Sequence, residues 1–216
     1  MANKKIERKK KHLSLTVLLV GKMIEINRKG LLVLVFTVIA TLETVLAVTK
    51  ITDSNFYSAI ATCLGTNPVD GLCSSSEYGS MPDWDVSLVT DMKGWNGNID
   101  EWDGTDDSAS PIGFGGKTSF NAKLSNWDTS QVTSMELMFF NATAFNQDIG
   151  SWNTSQVTAM RSMFNSATSF NQDISSWNGT AATTAQSYMF YGATAFQAKY
   201  TCTNGYNGPV SSCVLQ

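Results

Sequence analysis

The sequence predicts an α/β fold, a short solenoid of about four strand-helix layers with a disulfide-bearing cap at each end. Two observations lead to this prediction. First, Trp127, Trp152 and Trp177 are spaced by 25 residues, and the segments around them are similar along the whole unit. A fixed period between about 20 and 50 residues is typical of solenoids and related repeat arrays. Second, the repeats are flanked by two close pairs of cysteines, as expected of caps in an exported domain.

The repeat region is predicted to cover residues 84–197. Three aligned copies begin at Phe120, Phe145 and Phe170, and the last contains one extra residue. An earlier copy begins at Trp84 and then breaks off. Trp84 lies 43 residues before Trp127, which is one period plus 18 residues, so the stretch at about 96–118 is predicted to be an insertion that loops out of the stack.

Within each unit, the spacing of apolar residues predicts a short helix. Met135, Met138, Phe139, Ala142 and Phe145 fall at i, i+3, i+4, i+7 and i+10, and the following copies repeat this spacing. The segment around Leu124 to Asp128, with its copies, suits a short strand and a bend. Stacking the units would place Trp over Trp and Phe over Phe. It would also align the three asparagines Asn121, Asn146 and Asn171 in a hydrogen-bonded column.

The two caps are predicted to cover residues 48–83 and 198–216. Of the three possible pairings of the four cysteines, we expect Cys63 with Cys73 and Cys202 with Cys213, because each pair brackets a short loop-like stretch. Free thiols are the alternative. A zinc site is not expected, because the spacings within the pairs are too long and the only histidine lies near the N-terminus.

Residues 1–47 are predicted to export the rest of the chain. Nine of the fifteen Lys and Arg residues precede Gly30, and the apolar run Leu31–Ala40 follows. This order is typical of a secretory signal peptide, with cleavage expected after Ala47. Translation could start at Met1 or at Met23. The alternative is an uncleaved single-pass signal anchor over about 31–48, although Glu43 near its end weakens that interpretation. In either case the chain would contact a membrane only through this segment.

The charge of the remaining chain excludes nucleic acid as an expected partner. From Val48 onward there are six basic and fifteen acidic residues, a formal net charge of about −9. Binding to a phosphate backbone normally requires a basic stripe that releases counterions, and the sequence after residue 30 has none.

The repeat unit resembles that of a known family. Residues 145–169, FNQDIGSWNTSQVTAMRSMFNSATS, match the pattern FNQDISxWNTSxVTxMxxMFxxATx with Gly150 as the one departure. This pattern is similar to the repeat of the BspA-type leucine-rich-repeat surface proteins, and the similarity covers about 84–197. The resemblance implies a right-handed, leucine-rich-repeat-like solenoid at or beyond the cell surface, with a role in adhesion or ligand binding. It implies no catalytic residue.

Several sequence patterns are candidate chemical sites. Asn141, Asn153 and Asn178 stand in N-x-S/T sequons and are candidate glycosylation sites. GGKT at 115–118 looks like the end of a phosphate-binding loop, but Pro111 stands where that loop needs glycine. An acidic run could gather calcium, although it lacks the usual loop pattern and a solvated loop is favoured. Its members are Asp100, Glu101, Asp103, Asp106 and Asp107.

Asp148 and Asp173 occupy the same repeat position and could be mistaken for a glycosidase pair. Their periodic placement favours a role in the turn of each layer. We therefore expect no catalytic residue, no cofactor and no metal, and predict a secreted or cell-surface binding or adhesion module with a protein or carbohydrate ligand. The alternatives are a structural wall or coat component and, less favoured, a hydrolase.

Overall fold

The computed structural model describes residues 49–95 and 112–216, which belong to the second of the chain's two units, Val48–Gln216. The predicted signal segment, 1–47, lies outside the described residues. The helices are α1 (Phe56–Thr66), α2 (Thr180–Thr183) and α3 (Thr194–Lys199), and the strands are β1 (Tyr200–Thr201) and β2 (Val214–Leu215). Short 3₁₀ helices cover Met81–Asp83, Gly205–Asn207 and Val210–Ser212. Most of the repeat region is built from turns and extended segments.

A column of four parallel indole rings runs through the core. Trp84, Trp127, Trp152 and Trp177 stack in this order, with centroids 6.1, 6.4 and 6.3 Å apart. All four rings are buried. The Nε1–H of Trp152 donates to the Leu124 carbonyl, and that of Trp177 donates to the Ile149 carbonyl, so both of these buried indole N–H groups have a partner. The predicted inward stacking of the tryptophans is confirmed.

Two columns of phenylalanine rings stand beside the tryptophans. Within a layer the two rings are close, as in Phe139 and Phe145 at 3.9 Å, and between layers they stack at about 6 Å, as in Phe139 and Phe164 at 5.8 Å. One column contains Phe114, Phe139, Phe164 and Phe190, and the other contains Phe120, Phe145, Phe170 and Phe196. All of these rings belong to one hydrophobic core.

The layers are joined by a ladder in which alternate amides have different partners. The N–H groups of Met135, Leu137, Phe139 and Asn141 donate to carbonyls 24 residues further along the chain, in the next layer. The intervening N–H groups of Met138, Phe140 and Ala142 donate to the carbonyl three residues before them, which closes a turn. Isolated parallel bridges join Asp91 to Ser134 and Ser134 to Ala159. Backbone hydrogen bonding is thus shared between the layers and the turns within them.

This ladder explains why the predicted repeat helices are wrong. Residues 136–141 form consecutive turns, because Leu137 and Asn141 adopt φ values of 55° and 53°, in the left-handed region. Ser162, Ser166 and Tyr188 do the same in later layers. A left-handed residue interrupts the helix and turns its amide toward the next layer. The predicted strand at Leu124 to Asp128 is also absent; a turn at 125–126 takes its place.

The predicted insertion at 96–118 is too long at its C-terminal end. Phe114 is buried and stacks on Phe139 at 5.7 Å, and the Gly116 N–H donates to the Phe140 carbonyl over 2.7 Å. Residues 112–120 therefore complete the layer that Trp84 begins, while residues 96–111 lie outside the described residues. Gly94 lies against the next layer: a Cβ atom there would be 2.0 Å from the Leu137 carbonyl oxygen. This close approach requires glycine.

The asparagine column is confirmed. The Asn146 N–H donates to Asn121 Oδ1 over 2.9 Å, and the Asn171 N–H donates to Asn146 Oδ1 over 3.0 Å. The side chains of Asn121 and Asn146 therefore each link their own layer to the next.

Both predicted disulfides, Cys63–Cys73 and Cys202–Cys213, are present. The first fastens α1, which buries the face formed by Phe56, Ala59, Ile60, Cys63 and Leu64. Asp53 precedes this helix and accepts hydrogen bonds from the N–H and the hydroxyl of Thr90, which ties the cap to the first layer. The second disulfide encloses the loop between β1 and β2, which pair antiparallel. Within the described ranges, no helix has the length and apolar character needed to cross a membrane.

Candidate binding surface

The three candidate glycosylation sites differ in exposure. Asn153 and Asn178 are exposed, whereas Asn141 is half-buried and its N–H donates to the Asn165 carbonyl. The Asn153 side chain accepts the N–H of Ser155 in a turn. By exposure alone, Asn153 and Asn178 are the better candidates for glycosylation.

Asp148 and Asp173 each stabilise a local turn. Both are exposed, and their carboxylates accept the N–H two residues later, from Gly150 at 3.0 Å and from Ser175 at 2.9 Å. The hydrogen bonds donated by Ser175 hold the pKa of Asp173 below its ordinary value. A general acid in a glycosidase needs the opposite shift. The geometry therefore favours the structural interpretation of these carboxylates.

The GGKT segment uses its amides within the fold. The N–H groups of Gly116, Lys117 and Thr118 donate to the carbonyls of Phe140, Phe114 and Gly116, respectively. These are the groups that a phosphate-binding loop would present to its ligand. The acidic run from Asp100 to Asp107 lies outside the described residues. Within 49–95 and 112–216, no three His, Cys, Asp or Glu side chains come together as a metal site.

The sequence analysis missed a cluster of exposed tyrosines near the C-terminal end. Tyr188, Tyr191 and Tyr206 are 46%, 52% and 39% exposed, whereas the phenylalanine and tryptophan rings of the stacked columns are buried. Tyr188 and Tyr206 are nearly parallel, with centroids 6.1 Å apart. Tyr191 is perpendicular to both, at 6.0 Å from Tyr188 and 5.4 Å from Tyr206. We call these three residues the tyrosine face.

The tyrosine face is held by the end of the interlayer ladder. The Tyr188 N–H donates to Asn207 Oδ1, and the Phe190 N–H donates to the Tyr206 carbonyl, both over 2.8 Å. Residues 206 and 207 thus take the place of a further layer beside the last repeat. Their loop is closed by the Cys202–Cys213 disulfide. Because backbone bonds and a covalent link fix both sides, the tyrosines are presented in a set arrangement.

A pocket of about 290 Å³ adjoins this face, and Tyr206 belongs to both. We call it the aromatic pocket. Its lining residues include Phe190 and Phe196, which are almost completely buried, together with Tyr200, Tyr206, Gln197, Thr201 and Gln216. An apolar lining with a few polar groups is the usual composition of a ligand site.

This end of the chain is almost uncharged. Asp173 is the last acidic residue, and Lys199 is the only charged side chain after it. The Lys199 ammonium group donates to the Asn171 carbonyl and lies 5.1 Å from the centre of the Tyr200 ring. The tyrosine face is therefore surrounded in sequence by Asn, Gln, Ser and Thr rather than by the acidic residues of the preceding layers.

The chain belongs to the family described as "Mycoplasma protein of unknown function, DUF285", whose model matches residues 93–203, just over half of the chain. The match spans most of the stacked layers and ends within the C-terminal loop that carries Tyr206. No curated protein matches the sequence. No solved structure matches it.

Proposed function

We propose that this protein is an exported cell-surface or secreted binding or adhesion module and is not an enzyme. In this proposal the layers form a right-handed solenoid of BspA-type leucine-rich repeats, and the repeats serve as a scaffold. Export is supported by the two disulfides, since such bonds persist in oxidising compartments. The basic and apolar N-terminal segment supplies the signal peptide or signal anchor.

The tyrosine face is the observation that carries the binding role. Exposed tyrosines give a large, rigid contact area at a low cost in conformational entropy, and they are enriched where proteins bind ligands. Three of them adjoin one another, whereas the rings of the stacked tryptophan and phenylalanine columns are buried. The ligand in this proposal is a protein or carbohydrate at a cell surface.

A structural wall or coat component is the second candidate. Exposed Val214 and Leu215 on β2, at 63% and 66%, favour contacts between neighbouring copies, because an apolar edge strand can pair with another chain. A coat protein would be abundant and would assemble into a regular array. Its deletion would change cell shape without affecting adhesion.

The test combines location with binding. Intact cells that express the full chain would be labelled with antibodies against residues 120–216, and fluorescent beads coated with the full chain would be offered to host cells. We expect surface labelling and bead attachment. We expect attachment to fall by more than about tenfold when Tyr188 and Tyr191 are both changed to Ala, since aromatic residues that become buried on binding dominate the binding energy. Absence of labelling on intact cells, or of attachment by the unaltered chain, would refute the proposal.

A further inference from the structure

We propose that the ligand of the tyrosine face and the adjoining aromatic pocket is a neutral carbohydrate. This inference rests on the proposed binding function and specifies its ligand. The tyrosine face and the pocket share one residue, because Tyr206 lies parallel to Tyr188 and also lines the pocket. A ligand could therefore cover the exposed rings and place one unit in the pocket.

Ring chemistry favours a sugar. The face of an aromatic ring is electron-rich, so it attracts the weakly positive C–H groups on the apolar face of a pyranose ring. Tyr188 and Tyr206 are nearly parallel, with centroids 6.1 Å apart, and both are exposed, so each offers ring surface to a sugar. Tyr191, perpendicular to both at 5.4 to 6.0 Å, would form a wall beside them.

The polar groups at the site also match a sugar. Gln197 and Thr201 line the pocket and carry a neutral amide and a hydroxyl, which can both donate to and accept from sugar hydroxyl groups. The Gln216 amide N–H groups donate to the Gln197 and Tyr200 carbonyls, so Gln216 offers its Oε1 as an acceptor. Asn207 uses its Oδ1 to accept the Tyr188 N–H. Its amide N–H groups remain as donors beside the rings. Neutral amides next to stacked rings recognise hydroxyl groups without requiring charge.

Charge selects a neutral sugar over an anionic one. The chain from Val48 carries a formal net charge of about −9, and Lys199 is the only basic residue after Arg161. Sulfated or sialylated glycans would meet a repulsive field with a single lysine to offset it. The same field would attract a basic peptide, but Asp173 is the last acidic residue, so the segments that carry the tyrosine face hold no carboxylate with which such a peptide could pair.

The experiment uses the purified full chain in a sugar-free detergent, applied to an array of neutral, sulfated and sialylated glycans. Hits are then measured by calorimetry. Neutral hexose or N-acetylhexosamine oligomers should bind, with an affinity that stays constant when salt is raised from low to high concentration, because neutral ligands release no counterions. Each of Tyr188→Ala, Tyr191→Ala and Tyr206→Ala should weaken binding about tenfold, as expected of aromatic anchors.

Matched controls come from the other end of the molecule. Leu72 and Leu88 are both 54% exposed, so the double variant Leu72→Ala/Leu88→Ala removes comparable exposed apolar surface away from the site. It should bind neutral glycans as the unaltered chain does. Tyr188→Phe keeps the ring and should lose much less affinity than Tyr188→Ala. Circular dichroism of each variant reports whether the fold is intact.

The outcomes separate this inference from the broader function. Neutral glycan binding that depends on the tyrosines supports it. Cell attachment that depends on the tyrosines with no glycan bound would point to a protein ligand and overturn this inference alone. Glycan binding that is unchanged in all three alanine variants, or that is confined to anionic glycans, would also overturn it. Absence of both glycan and cell binding would overturn the proposed function itself.

Discussion

The central layers and the C-terminal end of this chain share the same interlayer hydrogen-bond ladder, but they differ in which side chains the ladder positions expose. In the central layers, the left-handed ladder positions carry Leu137 and Ser162, and both side chains are buried. The equivalent position in the last layer is Tyr188, with φ of 57° and an exposure of 46%. The backbone geometry is therefore retained, while the side chain changes from buried to exposed.

The same contrast holds one turn further along. Asn165 is buried, whereas Tyr191, its counterpart in the last layer, is 52% exposed. The left-handed φ of Tyr188 is shared with Leu137 and Ser162 in the two preceding layers, so it is not strain particular to a site. What distinguishes the end of the molecule is the departure from the repeat, which places aromatic rings outside the stack. Repetition builds the scaffold, and the departures from it are the candidates for function.

The largest expected effect on stability tests the division between a buried repeat scaffold and an exposed binding surface. Trp152→Ala would leave a cavity in the ring column between Trp127 and Trp177, and should lower the free energy of unfolding by about 3 to 5 kcal/mol. Tyr188→Ala, at an exposed ring, should lower it by less than about 1 kcal/mol. Urea unfolding followed by circular dichroism measures both.

Trp152→Phe is the control for the tryptophan variant. It keeps a ring in the column and loses the Nε1–H bond to the Leu124 carbonyl, so it should fall between the unaltered chain and Trp152→Ala. Equal losses for Trp152→Ala and Tyr188→Ala would contradict the division between scaffold and binding surface.

The stacked columns of the core could be predicted from the sequence, because a constant repeat length is enough to place equivalent residues over one another. A spacing of 25 residues places Trp127 over Trp152 and Asn121 over Asn146, whatever the backbone does between them. The helices could not be predicted in the same way. Successive turns with a left-handed residue place Met135, Met138 and Phe139 on one face, with the same spacing as a helix. Periodicity alone does not distinguish the two backbones.

The tyrosine face was missed because sequence periodicity identifies what is repeated. Tyr188 stands where the two preceding copies carry the buried residues Leu137 and Ser162, so it is visible in the sequence as a departure from the repeat. Tyr191 stands where they carry Phe140 and Asn165. Tyr206 lies beyond the last repeat, and its approach to Tyr188 depends on the Asn207 contact. The predicted insertion at 96–118 is too long for a related reason. Phe114 keeps the 25-residue spacing to Phe139, but Trp84 does not keep it to Trp127.

The two disulfides offer an intermediate test. Cys202→Ser/Cys213→Ser and Cys63→Ser/Cys73→Ser each open a loop of similar length, with sequence separations of 11 and 10. Each double variant should lose about 2 to 3 kcal/mol of stability, since the released loop gains entropy in the unfolded state. Only the Cys202→Ser/Cys213→Ser variant should weaken ligand binding, because the loop that this disulfide closes carries Tyr206.

Thermal unfolding and bead attachment, measured on the two variants in parallel, check this expectation. Equal losses of attachment in both variants would mean that global stability, rather than the position of the Tyr206 loop, controls binding. Unchanged attachment in the Cys202→Ser/Cys213→Ser variant would mean that Tyr206 does not contribute.

The smallest expected effect concerns the turn carboxylates of the central layers. Asp173→Ala removes the acceptor for the Ser175 N–H and should cost about 0.5 to 1.5 kcal/mol at neutral pH. Asp173→Asn keeps an acceptor and should cost less. Neither change should affect ligand binding, because Asp173 belongs to a turn and not to the tyrosine face.

The pH dependence of this loss has a defined sign. The pKa of Asp173 is lowered in the folded protein, chiefly by the hydrogen bonds from Ser175, so the carboxylate stabilises the fold above its ordinary pKa of 3.8. That contribution disappears as the pH falls through the folded value. The stability difference between the unaltered chain and Asp173→Asn should therefore be greatest at neutral pH and shrink below about pH 4. A difference that grows on acidification would mean that the carboxyl is held protonated, as a catalytic acid would be.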